Sequence, residues 1–207
     1  MIKKTYYWNN FYSEKIPPKF SSNFAEFVES KFKKKIKSII DLGCGNGRDT
    51  IYFSKKKIQC IGIDKSEIVI KKNKKKNTLF KKFFLSRDFS KINFDKLSNK
   101  KFSIYSRFSL HSLTLKEENR LIKNFSKSKK LEYIFIETRT IYDELYGVGK
   151  KMKKNEFFSD HYRRFIDPKE IKKKLSKKFK IIFFQCKKNF AKYKNENPKV
   201  LRIICKK

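Results

Sequence analysis

The sequence predicts a doubly wound α/β domain: a mostly parallel, seven-stranded, Rossmann-like sheet with helices on both faces and an antiparallel hairpin at its C-terminal end. Three observations carry that prediction. From residue 38 onward, short apolar runs alternate with stretches of helical periodicity. A glycine-rich turn follows the first of those runs. The last two β-rich runs, 180–185 and 200–205, leave no room for a helix between them and so pair as a hairpin. With 207 residues, one domain spanning 1–207 is expected, and an apolar share of 39% that includes 22 Phe and 10 Tyr excludes global disorder.

The elements follow in order. Tyr6, Tyr7, Trp8, Phe11 and Tyr12 crowd the first twenty residues, and Pro17-Pro18 ends any helix there, so 1–20 reads as an aromatic flap or as a staple packed on the domain surface. Phe24, Phe27, Val28 and Phe32 fall at helical spacing within 23–35. Strands are expected at 38–42, 59–63, 83–85, 102–106 and 131–136, and helices at 49–57 and at 66–77, where Ser66 is the cap. Thr114 and Glu117 form a capping box for a helix between the fourth and fifth strands. Asp167-Pro168-Lys169-Glu170 opens another helix, with Pro in its first turn. Residues 141–166 remain as a substrate-side insertion.

No run approaches the roughly 18 apolar residues of a spanning helix, and the basic start leads into Tyr-Tyr-Trp-Asn-Asn instead of a secretion signal. Cys44, Cys60, Cys186 and Cys205 show neither a Cys-x-x-Cys pair nor a disulfide spacing, and only His111 and His161 could join them. A reducing, cytoplasmic setting and no metal are expected. The balance of 55 Lys+Arg against 20 Asp+Glu gives a net charge of +35, which points to polyanions. Its makeup weakens that inference: 47 Lys, 8 Arg, 23 Ile, 14 Asn and two Ala are the drift of an AT-rich coding sequence.

Asp41-Leu42-Gly43-Cys44-Gly45-Asn46-Gly47-Arg48-Asp49 follows the first strand. Glycines at alternate positions allow a sharp turn and close backbone approach to a ligand at a helix N-terminus. The Gly-x-Gly-x-Gly spacing argues against NAD or FAD, whose enzymes use Gly-x-Gly-x-x-Gly. Twenty-three residues after Asp41, Asp64 ends the second strand, where a carboxylate accepts both hydroxyls of a ribose.

With these motifs the chain resembles the class I S-adenosylmethionine-dependent methyltransferases over nearly its whole length. The resemblance implies that the Gly43–Gly47 loop lies against the methionine part of S-adenosylmethionine, that Asp64 binds its ribose, and that Asp88 with Phe89 meets its adenine. The alternative for Asp88 is a helix cap. The implied cofactor set is Asp41, Gly43, Gly45, Asn46, Arg48, Asp64, Lys65, Asp88, Phe89 and Arg107, with Arg48 a candidate for the cofactor carboxylate. Within the family, Gly45–Asp49 and the Tyr7–Tyr12 opening resemble small bacterial tellurite-resistance-type enzymes. Segments 105–111, 137–139, 143–147 and 160–167 resemble methyltransferases of capsule and surface-polysaccharide clusters, including those that act on phosphoramidate.

In a chain that uses Lys almost everywhere, Arg marks places that need a planar, bidentate donor. Arg107, Arg139, Arg163 and Arg164 fall in loops expected to line the active site, and would suit a small anionic acceptor such as a phosphate, phosphoramidate or sugar acid. Such an oxygen needs no strong base. His111 or His161, with Tyr162 beside it, would deprotonate a neutral sugar hydroxyl. The alternatives are that Arg163 or Arg164 pairs with Asp160 or Asp167, and that His111 is a buried hydrogen-bonding group. O-methylation of a small anion is therefore expected, with RNA methylation as the competing class. Ser106-Arg107-Phe108-Ser109 stands where enzymes that methylate base amino groups carry Asn/Asp-Pro-Pro-Tyr/Phe. Protein methylation stays open, and an intact glycine loop with Asp64 argues against a mere binding module.

Overall fold

The computed structural model describes residues 4–14 and 17–207. It begins with α1 (Lys4–Glu14) and α2 (Asn23–Phe32), then alternates β1 (Ser38–Leu42), α3 (Arg48–Lys55), β2 (Gln59–Asp64), α4 (Glu67–Lys76) and β3 (Phe84–Ser86). Next come β4 (Phe102–Arg107), α5 (Leu115–Lys127) and β5 (Leu131–Arg139). Three short strands follow, β6 (Lys150–Lys153), β7 (Glu156–Phe158) and β8 (Tyr162–Arg164), and then α6 (Pro168–Ser176), β9 (Lys180–Lys187) and β10 (Val200–Lys206).

The seven-stranded sheet has the order β3-β2-β1-β4-β5-β10-β9. β3, β2, β1, β4 and β5 run parallel, and β10 enters antiparallel to both β5 and β9. The outer strands are therefore β3, of three residues, and β9, of eight. Every residue of β1 is buried, as a strand covered on both faces requires. One face packs Leu121, Ile122 and Phe125 of α5 and Ile171 and Leu175 of α6, and the other packs Phe24, Ala25 and Val28 of α2 with Phe53 of α3. Each of these Leu, Ile, Val and Phe side chains contributes about 1.5–3 kcal/mol when fully buried. No helix among the described residues is long and apolar enough to cross a membrane.

Local signals set the helix ends. Ser66 accepts the Val69 N–H, Thr114 and Glu117 close their capping box, and Asp167 accepts the Lys169 and Glu170 N–H groups ahead of Pro168. α2 stops at Phe32, three residues before the expected end, in a turn that delivers the chain to β1. The small sheet β6-β7-β8 within 141–166 was not expected, because Lys150-Lys-Met-Lys153 reads as a charge run and all four residues are exposed. Strand order reverses between β1 and β4, so their carboxyl ends flank the crevice where such sheets bind ligands.

Candidate active site

The loop after β1 is built around left-handed glycines. Gly43 has φ +69, and a Cβ there would stand 2.7 Å from the Ser109 Cβ. Gly45 has φ +52, and a Cβ there would meet the Tyr12 hydroxyl at 2.5 Å. Only glycine fits both the dihedral and the space. Asp41 lies behind this loop, buried, and accepts the Thr50 hydroxyl at 2.7 Å. Burial, with Asp49 nearby, pushes its carboxyl up to about 8.

Beyond the loop opens a cleft lined by Gly43, Asp64, Lys65, Asp88 and Phe89 from the expected cofactor set. Asp64 accepts N–H bonds from Gly45 at 3.0 Å and Ser66 at 2.9 Å, and burial pushes its carboxyl up against the pull of those bonds. A carboxylate has about four lone-pair sites, so these bonds leave acceptor capacity unused. Asp88 has a double role. It caps the short 89–91 turn through the Ser90 N–H and hydroxyl, and it receives Lys65 Nζ at 3.1 Å. Burial works against the charge, but the Ser90 and Lys65 bonds hold its carboxyl below the usual range. Asn46 and Arg48 point elsewhere: Asn46 Nδ2 donates to the Pro18 carbonyl and Arg48 Nη1 to the Phe20 carbonyl, so both anchor the segment ahead of α2. Burial, and then Arg107, lowers the Arg48 guanidinium from its ordinary range.

At the carboxyl ends of β4 and β5, Arg107 Nε donates to Glu137 at 2.9 Å and its guanidinium lies 4.5 Å from the Phe108 ring centroid. Arg139 reaches the same ring at 5.6 Å. Its Nη1 meets both Asp143 oxygens at 3.0 and 3.1 Å, and its Nη2 meets Glu196 at 2.5 Å. Phe108 holds a left-handed backbone at φ +52, and its N–H donates to the Glu137 carbonyl at 2.9 Å. A bulky residue there is strained and is held by its surroundings. Burial pushes the Glu137 carboxyl up, while Arg107 and Arg202 pull it down.

The insertion supplies the remaining residues. Arg163 pairs with Asp160 at 2.5 Å, one of the alternatives left open above. Arg164 pairs instead with Glu118, which also receives Lys174 at 2.5 Å, and donates to the Leu113 carbonyl at 2.9 Å. The four arginines are thus each met by carboxylate and do not form one open clamp. Tyr162 lies near the Leu113 carbonyl, and burial raises its hydroxyl above the ordinary range. His111 is buried, its Nδ1 has no hydrogen-bond partner among the described residues, and burial with Arg139 holds it well below the usual range. His161 lies 3.0 Å from Asp160, and burial and Arg163 lower it to about 4.

α1 spans the cleft mouth. Tyr7 stacks on His161 at 4.3 Å and its hydroxyl donates to Asp160, while Asn9 accepts the Ser66 hydroxyl at 2.7 Å. Lys72 Nζ holds the Tyr12 carbonyl at 2.6 Å. Trp8 and Tyr12 line the cleft with Ser66, Phe108, Ser109, Ser112, Leu113 and Glu117, none of which the cofactor motifs single out. The aromatic crowding of the opening was the available signal for the first two. The Ser109 group reaches the cleft only because β4 pairs with β1.

Residues 39–130 match the family model described as a methyltransferase domain. No curated protein matches the chain. Among solved structures, an S-adenosylmethionine-dependent methyltransferase from Anabaena variabilis is 16% identical, with 98% of this chain and 92% of that one covered at a TM-score of 0.72. The CcbJ methyltransferase from Streptomyces caelestis is 12% identical, covering 99% and 98% at 0.71. The glycopeptide N-methyltransferase MtfA complexed with S-adenosylmethionine is 14% identical, covering 90% and 94% at 0.63. The matched domain, the sheet order and the glycine loop agree, and the chain has the fold of the S-adenosylmethionine-dependent methyltransferases, with residues 39–130 matching a methyltransferase domain.

Proposed function

We propose that the chain transfers the methyl group of S-adenosylmethionine to an oxygen of a small anionic acceptor, a phosphate, phosphoramidate or sugar derivative of the kind used in surface-polysaccharide assembly. When bound, S-adenosylmethionine supplies a methyl group already activated on a sulfonium. Gly43 and Gly45 would give the backbone approach, Asp64 would accept the ribose hydroxyls, and Phe89 with Asp88 would bound the adenine end. The chain's own task is to hold the nucleophile in line and exclude water.

The observation that carries the small-acceptor reading is the contact of Tyr7 with His161, which joins α1 to the insertion across the cleft. In this reading residues 1–20 are a flap and 141–166 the facing wall of a single domain. A folded RNA would have to displace both. Arg107, beside the Phe108 wall, supplies the positive charge for an anion. Burial and the nearby Arg139 disfavour a protonated His111, which favours an acceptor oxygen that arrives already anionic and needs no base.

Transfer of labelled methyl from S-adenosylmethionine is measured against two pools, small phosphorylated and phosphoramidate metabolites with sugar nucleotides, and total RNA. Label in the first pool is expected. Label in RNA alone overturns the proposal and makes the +35 charge the recognition surface.

A further inference from the structure

β10 reads Val-Leu-Arg-Ile-Ile-Cys-Lys, and its single arginine, Arg202, is 4% exposed on this strand between β5 and the edge strand β9. Its guanidinium lies over three rings, Phe190 at 4.1 Å, Phe24 at 5.1 Å and Phe27 at 5.3 Å. Nε donates to Glu137 Oε2 at 2.6 Å and Nη2 to the Phe190 carbonyl at 2.9 Å. The other oxygen of the same carboxylate, Oε1, receives Arg107. Glu137, wholly buried, is therefore shared by two guanidiniums, one deep in the sheet and one at its carboxyl end.

Burying such a group is costly, and an apolar replacement of a buried ion pair is often neutral or stabilising. A lone arginine in an otherwise apolar strand thus calls for a reason other than stability. Charge supplies one. With Glu137 facing Arg107 alone, the pair would be neutral. With Arg202 on the second oxygen the group sums to one positive charge, and its exposed member is Arg107, whose side chain is 17% accessible against 5% for Arg202. Arg139 differs, since Asp143 and Glu196 both face it, and Arg163 is matched by Asp160. Glu118 is also shared by two cations, Arg164 and Lys174, but this group ties β8 to α5 and α6.

We propose that Arg202 is a positioning residue for methyl transfer: by taking up the charge of Glu137 it leaves Arg107 cationic, and oriented against Phe108, a residue that lines the cleft. It acts through Glu137 and touches no ligand. The inference rests on the anionic-acceptor reading above.

The test uses inorganic phosphate as the anion, titrated calorimetrically into the full chain loaded with S-adenosylhomocysteine, for the parent, Arg202→Met, and Glu137→Gln/Arg202→Met. Arg202→Met should weaken phosphate about tenfold, because Glu137 then cancels Arg107, with S-adenosylhomocysteine affinity held within about twofold. The double variant removes the cancelling charge and should return phosphate affinity to within about threefold of the parent, a rescue that a purely structural role would not produce. Phosphate affinity unchanged in folded Arg202→Met, or lost in a folded double variant, overturns the inference. If Arg202→Met does not fold, the double variant alone decides by the same criterion. A parent that binds no phosphate overturns the anionic-acceptor reading, and the inference with it.

Discussion

Asp64 joins the glycine loop to the second strand through its bonds to Gly45 and Ser66, and it lines the cleft. Hydrogen bonds to a charged acceptor contribute about 1.5–3 kcal/mol each, so losing two in Asp64→Ala should weaken S-adenosylmethionine at least about a hundredfold. Calorimetry that finds the affinity intact would take Asp64 out of ribose binding. Asp41 makes a second prediction. Its folded pKa of about 8 lies above the ordinary 3.8. The stability it contributes is therefore full below about pH 4 and is lost as pH rises through about 8. Asp41→Asn should gain melting temperature over the parent progressively across that window, with no gain near pH 4; a gain of equal size at all pH values would contradict it. Residues fixed by local backbone needs, Gly43, Gly45 and Asp64, were legible in the sequence. The carboxylates that engage the arginines were not, because Glu137 stands 30 positions from Arg107 and 65 from Arg202, and Glu118 stands 46 from Arg164. Sheet register brings them together.

Elements with strong local signals sit where the sequence puts them: β1, the capped α4 and α5, the Pro168-led α6 and the terminal hairpin. The sheet β6-β7-β8 was illegible, since strands of three or four residues are too short to carry an alternation that can be read. The insertion is fastened to the main domain by the buried Glu118 on α5, which holds Arg164 of β8 and Lys174 of α6. Glu118→Ala leaves a buried guanidinium without its carboxylate and should cost about 3–5 kcal/mol in denaturant unfolding. A loss below about 1 kcal/mol would place this junction among weak surface pairs.

For the molecule as a whole, +35 on 207 residues is a self-repelling charge held together by the apolar layers on the two faces of the sheet. Raising salt from about 10 mM to about 1 M shortens the Debye length from about 30 Å to about 3 Å, so thermal stability should rise. A melting temperature that falls over this range would mean that surface ion pairs outweigh the repulsion. Charge also bears on the margins of the sheet. β3 offers three residues, too few to template another strand, whereas β9 presents eight with a lysine at each end. A second β9 laid along it at full overlap sets Lys180 against Lys180 and Lys187 against Lys187 if parallel, and Lys180 against Lys187 if antiparallel. Like charges meet in either register, so strand-by-strand growth into a continuous sheet is opposed at the first step, and the lysines serve as gatekeepers against aggregation.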